Sequence, residues 1–301
     1  MDADNLHKHI AISKKNVLFV ILLNFIITIA EVIGGLLANS LALVSDALHN
    51  FSDGIAILIS YLALRLSQRK STVQKTFGYK RAEILAALFN SSVLIIIIFF
   101  LFKEAITRLF SPHPINSLLM MIVAIIGLVA NLIGVFLLKR DAGHNLNIKS
   151  AYLHLVADSL SSIAVVIGGI LIQFFNIYVI DPILTIVIGI YILRESYLVM
   201  RDTVNILMQS TPEGIDLMEI KYAIESIPEV HNLHHIHIWQ MTDKDIHFEG
   251  HIDVCEDYRT SEVAEIIKKI EELLSQKFGI NHITIQVEFG TCRDKDMIKT
   301  C

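Results

Sequence analysis

Six long apolar stretches constrain what this chain can fold into. A transmembrane helix needs about 20 mainly apolar residues, and each stretch is of that order. They are Val17–Leu37, Leu41–Leu64, Ile84–Phe110, Ile115–Leu138, Leu153–Phe175 and Val179–Val199. Hydrophobic residues make up 53% of the 301 residues, above the share that is usual in soluble proteins. The sequence therefore predicts an α-helical membrane protein with six transmembrane helices.

The connections between these stretches differ in charge. Six Lys and Arg residues lie between Arg65 and Arg81, and three lie in the connection Lys139–Lys149. By contrast, Ala38–Ser40 and Asn176–Tyr178 contain no charged residue. Basic loops of membrane proteins stay in the cytoplasm. We therefore expect a multi-pass protein of the cell membrane with both termini cytoplasmic.

From about Met208 the composition becomes that of a small soluble domain. Helix-like and strand-like patterns of apolar residues follow each other in the order α-β-β-α-β. The predicted elements are Ile215–Ser226, Val230–Met241, Ile246–Val254, Thr260–Phe278 and Ile283–Phe289. A Thr/Ser cap should open the second helix, which should end before Gly279. We therefore divide the chain into a transmembrane domain, residues 1–207, and a cytosolic α+β domain, residues 208–301.

The predicted cytosolic domain is acidic and holds every cysteine of the chain. Its 18 acidic residues outnumber its 9 basic residues, which argues against a nucleic-acid partner. The cysteines are Cys255, Cys292 and Cys301, and none belongs to a C-x-x-C pair. A sparse, odd number of cysteines does not indicate a disulfide framework. A reducing, cytosolic location is the simplest interpretation.

One motif occurs twice within the apolar stretches. His49 precedes Asp53 by four residues, and His154 precedes Asp158 by four residues. Residues at i and i+4 share one face of a helix, and ionisable groups inside a membrane are costly and usually functional. A single buried His or Asp could be structural, but two pairs demand four costly groups. Two nitrogens and two carboxylates suit a tetrahedral divalent metal, with zinc first and cadmium and cobalt next.

Other polar residues in the apolar stretches have simpler interpretations. We expect Asn90 and Asn131 to form hydrogen bonds between helices. Asp46 shares a helix face with His49, but it would be a fifth ligand, whereas zinc usually has four. Asp181 precedes a proline, so we expect it to cap the sixth membrane helix.

At these residues the chain resembles the cation diffusion facilitator family, over nearly its full length. Ser40–Asp53 resembles the family's second-helix signature, and Phe77–Glu83 resembles its entry to the third helix. The C-terminal α-β-β-α-β pattern is similar to the family's metallochaperone-like, dimerising cytosolic domain. The likeness is strongest to bacterial zinc exporters, which implies a prokaryotic source. It implies a proton-coupled antiporter whose transport site is His49, Asp53, His154 and Asp158, with Leu153 at the hydrophobic gate.

Two family features are missing from this sequence. Some relatives bind a metal between the second and third helices, but Ser67–Gln74 contains no His, Asp or Glu. Vertebrate relatives carry a His-rich loop between the fourth and fifth helices, where this chain has only His144. We expect no metal site in the first of these connections, and the second lacks the His-rich feature.

The C-terminal domain contains a second group of metal-binding residue types. Six histidines lie in its first two predicted strands: His231, His234, His235, His237, His247 and His251. Strand alternation places His235 and His237 on one face and His234 on the other. The resemblance implies that His234 and His251 are ligands, with Gln286 and Glu288 at the two remaining ligand positions. Because Gln is a weak ligand, His235 is a substitute, and Cys255 and Cys292 are further candidates for this cytosolic zinc site.

These patterns and the family resemblance together predict a homodimeric exporter in the lipid bilayer that exchanges divalent zinc for protons, with cadmium and cobalt as further substrates. We expect no enzymatic activity. The alternative is a membrane-embedded metal sensor that binds zinc without moving it. An intramembrane zinc hydrolase has less support, because the sequence lacks H-E-x-x-H and a four-ligand site leaves no position for water.

Overall fold

The computed structural model describes residues 22–67, 69, 71–139, 146–242, 245–290 and 297. Within these ranges the chain forms eight helices and three strands. The helices are α1 (Leu22–Ala38), α2 (Leu41–Ser67), α3 (Ala82–Phe110), α4 (Ser117–Lys139), α5 (Leu146–Phe175), α6 (Ile180–Leu207), α7 (Leu217–Glu225) and α8 (Thr260–Phe278). The strands are β1 (Val230–Gln240), β2 (Ile246–Val254) and β3 (His282–Glu288). The described residues fall into two compact units, one within residues 1–62 and 86–200 and the other within residues 63–85 and 201–301.

The predicted fold class is confirmed. Helices α3, α4, α5 and α6 are each long and apolar enough to cross a membrane. Helix α1 is apolar over its described length, and α2 has 27 residues, so the helices are consistent with six spans. Many large apolar side chains of these helices are exposed, among them Phe100 and Phe136. Such exposure is expected where a helix faces lipid.

Two membrane helices extend beyond their apolar stretches. Helix α5 begins at Leu146 rather than Leu153, and α6 continues to Leu207 rather than ending at Val199. Once a helix is nucleated, each further residue adds one backbone hydrogen bond. Apolar length therefore predicts the membrane span, whereas the helix itself continues into polar sequence.

Asp181 does not cap the sixth membrane helix as predicted. Its buried carboxylate accepts hydrogen bonds from the Leu41 and Ala42 backbone N–H groups, at 2.8 and 3.2 Å, and from the Ser40 hydroxyl at 2.5 Å. The Ser40 Oγ in turn accepts from the Leu43 N–H at 3.1 Å. Helix termini leave backbone donors that need partners. Asp181 therefore caps α2, the helix that carries the first His-x-x-x-Asp motif.

Helices α1 and α4 approach closely around a buried carboxylate. The Glu31 side chain is 1% exposed, and a Cβ atom on Gly127 would lie 2.0 Å from its Oε1. Only glycine leaves room for Glu31 at this position of α4. Asn50 of α2 donates to the Glu31 Oε2 at 3.2 Å, which ties a third helix to the same group.

The C-terminal domain is a three-stranded sheet with two helices. Strand β2 is central; it pairs antiparallel with β1 and parallel with β3. Apolar side chains of the sheet, α7 and α8 form one core that includes Leu233, Phe248, Ile252 and Ile270. The α-β-β-α-β order is as predicted, and α8 ends before Gly279, which adopts φ 67°.

The start of α8 differs from the expected Thr/Ser cap. Arg259 is the N-cap residue, and its backbone N–H donates to the Glu262 carboxylate at 2.7 Å. A carboxylate at the third helical position supplies half of a capping box, so a hydroxyl is not needed at this terminus.

Candidate metal centres

Helices α2 and α5 bring together three of the four residues predicted for the transport site. His49, His154 and Asp158 each offer a ligand atom, and these atoms all lie within 4.8 Å of one another. The two imidazole centroids are 5.8 Å apart, and the His154 Nε2 lies 3.5 Å from the Asp158 Oδ2. The fourth residue, Asp53, lies one turn further along α2, but its side chain is outside the part that the structure describes. The two helices therefore present nitrogen and oxygen donors toward one point.

The surroundings of this cluster combine burial with access. Asp158 is 3% exposed, whereas His49 and His154 are half-buried. A buried carboxylate needs a compensating charge or hydrogen bonds. A divalent cation bound between the three side chains would supply that charge.

Asp46 lies near this cluster but is not one of its three ligands. Its carboxylate accepts a hydrogen bond from the Ser161 hydroxyl of α5. This contact links α2 to α5 on the face that carries His49 and Asp158. Asp46 therefore holds the two ligand-bearing helices together.

The predicted interhelical role of Asn90 agrees with its contacts, whereas Asn131 differs. The Asn90 Nδ2 donates to the Ser52 Oγ at 3.1 Å, which links α3 to α2. The buried Asn131 Nδ2 has no hydrogen-bond partner among the residues that the structure describes. Sequence pattern identifies an amide in a span, but it does not show which neighbour the amide meets.

A cavity of about 170 Å³ adjoins His49. Its polar lining includes Ser52, Asn90, Glu195 and Ser196, from α2, α3 and α6. Glu195 was not among the predicted site residues, although an ionisable residue inside an apolar stretch was the available signal. Tyr191, whose ring centroid lies 6.3 Å from that of His49, was not predicted either.

Leu153, predicted at a gate, directly precedes His154 on α5. Its side chain is 55% exposed within the described protein. It therefore lies beside the ligand cluster in sequence, on a face of α5 that is open.

The C-terminal sheet gathers a second set of ligands. His234 and His251 are register partners on β1 and β2, and Glu288 lies on β3. Their ligand atoms lie within 4.8 Å of one another. Glu288 contacts the His251 Nδ1 at 2.9 Å and the His234 Nε2 at 3.5 Å. Two imidazoles and a carboxylate are a suitable set for zinc, so these residues fit a bound zinc ion.

Two neighbours orient this second set. The Asn232 side-chain oxygen lies 3.1 Å from the His234 Nδ1, which leaves the other ring nitrogen toward Glu288. The Gln286 Nε2 donates to the Glu288 Oε1 at 2.8 Å, so Gln286 supports a ligand. Such supporting hydrogen bonds orient metal ligands. Burial lowers the pKa of His234, while the nearby Glu288 charge opposes that shift.

The predicted separation of His234 from His235 is wrong. The β1–β2 register shifts between His234 and His237, and His235 adopts a left-handed backbone with φ 50°. A bulge adds a residue to one strand and breaks strict alternation. As a result the His235 ring lies 4.5 Å from the His251 ring as well as 5.0 Å from the His237 ring. His235 is therefore close to the second set without belonging to its three-ligand core.

The remaining ligand candidates lie elsewhere. Cys255 is exposed and free, and Cys292 and Cys301 are outside the described residues. His247 belongs to an aromatic group, with the His282 ring at 4.4 Å and the Trp239 ring stacked at 5.4 Å. Burial lowers the pKa of His247, and the positive charges of His282 and Lys80 lower it further.

Comparison with known proteins decides the family. Residues 17–208 match the cation efflux transmembrane domain, and residues 212–289 match the cation efflux protein cytoplasmic domain. The chain belongs to the cation efflux family. The predicted resemblance is confirmed, since this is the family of cation diffusion facilitators. As a cation efflux protein it is a multi-pass membrane protein of a transporter family, with a C-terminal cytoplasmic domain.

Characterised members of the cation efflux family are similar to this chain over nearly all of its length. The cadmium, cobalt and zinc/H⁺-K⁺ antiporter of Bacillus subtilis is 41% identical over 94% of this chain and 91% of its own. The metal cation efflux system protein CzcD of Cupriavidus metallidurans is 34% identical over 98% of this chain and 93% of its own. The zinc transporter ZitB of Escherichia coli is 34% identical over 89% of this chain and 85% of its own.

Proposed function

We propose that this protein is a homodimeric antiporter that exports divalent zinc from the cytoplasm in exchange for protons. The observation that carries the proposal is the convergence of His49 from α2 with His154 and Asp158 from α5. Asp53, on the same face of α2 as His49, is the proposed fourth ligand. Four such groups are costly in a membrane unless they serve a function.

The ligand chemistry explains how metal and proton transport can be coupled. Imidazole binds metal only when it is neutral, and carboxylate binds when it is ionised, so metal binding releases protons and protons displace metal. A free histidine titrates near pH 6.5, within the physiological range. If the site opens alternately to the two sides, as midplane sites of transporters do, this competition becomes exchange. Leu153 is proposed to close the site on one side.

The donor set and the relatives support zinc as the main substrate. Mixed nitrogen and oxygen donors suit zinc, cadmium and cobalt better than manganese or magnesium, which prefer oxygen. The names of the relatives include zinc, cadmium and cobalt. We place zinc first and the other two as further substrates.

The proposed organisation follows the chain. Residues 1–207 form the transporting domain and residues 208–301 form the cytosolic domain, with both termini in the cytoplasm. Zinc bound by His234, His251 and Glu288, with His235 nearby, would stabilise whichever conformation binds it more tightly. A cytosolic domain of about 90 residues has a modest core, so pairing with a second copy is proposed to stabilise it.

Zinc uptake into inside-out vesicles tests this proposal. We expect the wild-type chain to accumulate zinc and Asp158→Ala to lose uptake while still inserting in the membrane. Glu104→Gln is the matched control, because Glu104 is a partly exposed carboxylate on α3, paired with Arg108 and outside the three-ligand cluster. Normal uptake by a well-expressed Asp158→Ala variant would contradict the site. Zinc binding without uptake by the wild type would instead identify a sensor.

A further inference from the structure

The cavity beside His49 contains a carboxylate that the proposed transport site does not use. Glu195 lines this cavity on α6. Tyr191, one turn earlier, packs edge-on against the His49 ring. One helical turn advances about 5.4 Å along the axis. Glu195 therefore lies one turn from the level of His49 and on the same side of α6.

The course of the chain shows toward which end of α6 Glu195 is offset from His49. Helix α6 runs from Ile180 to Leu207 and then leads into the cytoplasmic domain at residue 212. The cavity is also lined by Ile59 of α2 and Ala86 of α3. Each of these residues lies in the half of its helix that adjoins the segment joining α2 to α3. With the proposed topology, Glu195 lies between His49 and the cytoplasmic ends of α2, α3 and α6.

The chemistry of the cavity suits a hydrated cation. Glu195 supplies a negative charge, and Ser52, Asn90 and Ser196 supply neutral oxygens on the same walls. The ion pair of Glu195 with its neighbour Arg194, at 3.0 Å, joins two partly exposed side chains. In a water-filled cavity such an exposed pair contributes little, so it competes only weakly with a cation for the Glu195 carboxylate. A charged cleft with low-dielectric walls concentrates ions of opposite sign.

We infer that Glu195 forms an entry subsite that captures hydrated divalent cations from the cytoplasmic side and delivers them to His49. This inference rests on the proposed zinc export, for which it names the first binding step. Oxygen donors can hold a cation that retains its water, whereas the imidazoles of the transport site require partial dehydration. The subsite should therefore govern how readily zinc enters, and it should have little effect on the later steps.

Kinetics of the reconstituted full-length protein test this role. Zinc flux is measured against zinc concentration on the side that carries the C-terminal domain. We expect Glu195→Gln to raise KM about tenfold and leave kcat nearly unchanged, since charged clefts accelerate ion entry by that order. Glu195→Asp should restore most of the loss, and Glu104→Gln should match the wild type. Higher ionic strength should narrow the difference between wild type and Glu195→Gln, because salt screens the entry charge.

The outcomes separate this inference from the proposed function. An unchanged KM in Glu195→Gln, or a lower kcat with an unchanged KM, would overturn the entry subsite while leaving zinc export intact. Zinc flux that persists in Asp158→Ala would overturn the transport site itself, whatever Glu195 does. Both the entry subsite and the transport site would be supported if Glu195→Gln raised KM, Glu195→Asp returned KM toward the wild-type value, and Asp158→Ala carried no zinc flux.

Discussion

Replacing Asp181 by Asn should destabilise the transmembrane unit without removing a metal ligand. The side chain is fully buried and caps the start of α2 through the Leu41 and Ala42 N–H groups and the Ser40 hydroxyl. Asn has nearly the same size, but one of its two oxygens becomes an NH₂ donor. At least one buried donor of α2 then faces another donor.

The hydrogen bonds determine the expected magnitude. Each hydrogen bond to a charged group contributes about 1.5–3 kcal/mol, and a buried donor without an acceptor costs about 1–3 kcal/mol. Because Asn keeps one acceptor oxygen, we expect Asp181→Asn to lower the free energy of unfolding by about 2–4 kcal/mol. For a unit of this size the melting temperature should fall by about 5–15 °C. Ser40→Ala removes the N-cap hydroxyl and should cost about 1–2 kcal/mol.

Thermal unfolding of the purified full-length protein in detergent measures this ranking. We expect the melting temperature to decrease from wild type to Ser40→Ala to Asp181→Asn. At permissive temperature Asp181→Asn should retain part of its zinc uptake, because it keeps every proposed ligand. The uptake should not be complete, because the position of His49 depends on the start of α2. An unchanged melting temperature in Asp181→Asn would refute the capping role.

Contacts elsewhere in the protein lead to three more predictions. Gly127→Ala places a methyl group against the buried Glu31 carboxylate and should lower the free energy of unfolding by about 1–3 kcal/mol. Gly54→Ala is the control and should not lower it, because its new Cβ would meet only the Phe25 ring at 3.7 Å. Equal melting temperatures of the two variants would contradict the close approach of α1 and α4. His49→Asp leaves one nitrogen in the proposed quartet and should shift competition transport from zinc toward manganese, and an unchanged metal ranking would argue against His49 as a ligand. Burial, and then His282 and Lys80, lower the pKa of His247 in the folded protein. The unfolded chain therefore binds the proton more readily, so the contribution of His247 to stability is complete above about pH 6.5 and is lost as the pH falls below that value. His247→Gln should reduce the loss of melting temperature between about pH 7.5 and 5.5, the exposed His231→Gln should not, and identical profiles would exclude the effect.

The pairing of His154 with Asp158 could be predicted from the sequence because it depends on local spacing. His154 and Asp158 are neighbours on any regular helix, and membrane burial makes such a pair too costly to be incidental. The strand pattern succeeded for the same reason: alternation directly reflects which side chains face the core of the C-terminal sheet.

The structure differs from the sequence-based predictions where distant parts of the chain meet. Asp181 is local to α6 in sequence, but its partners at Ser40, Leu41 and Ala42 are about 140 positions away, so no local capping rule could select them. Glu195 is a site candidate because it lines the cavity beside His49, and the sequence of α6 does not show this. His235 departed from strand alternation because of a bulge with φ 50° at a non-glycine residue, which the sequence pattern does not show.

Proton movement during zinc transport tests the central claim most directly. The full-length protein is reconstituted in proteoliposomes that contain a pH-sensitive dye, and zinc is added on the side that carries the C-terminal domain. We expect zinc entry to be accompanied by proton exit in a constant ratio, to be accelerated by an acidic lumen, and to be absent in Asp158→Ala. Zinc flux that follows only the zinc gradient, with no proton movement and no response to an imposed pH gradient, would contradict the antiport account.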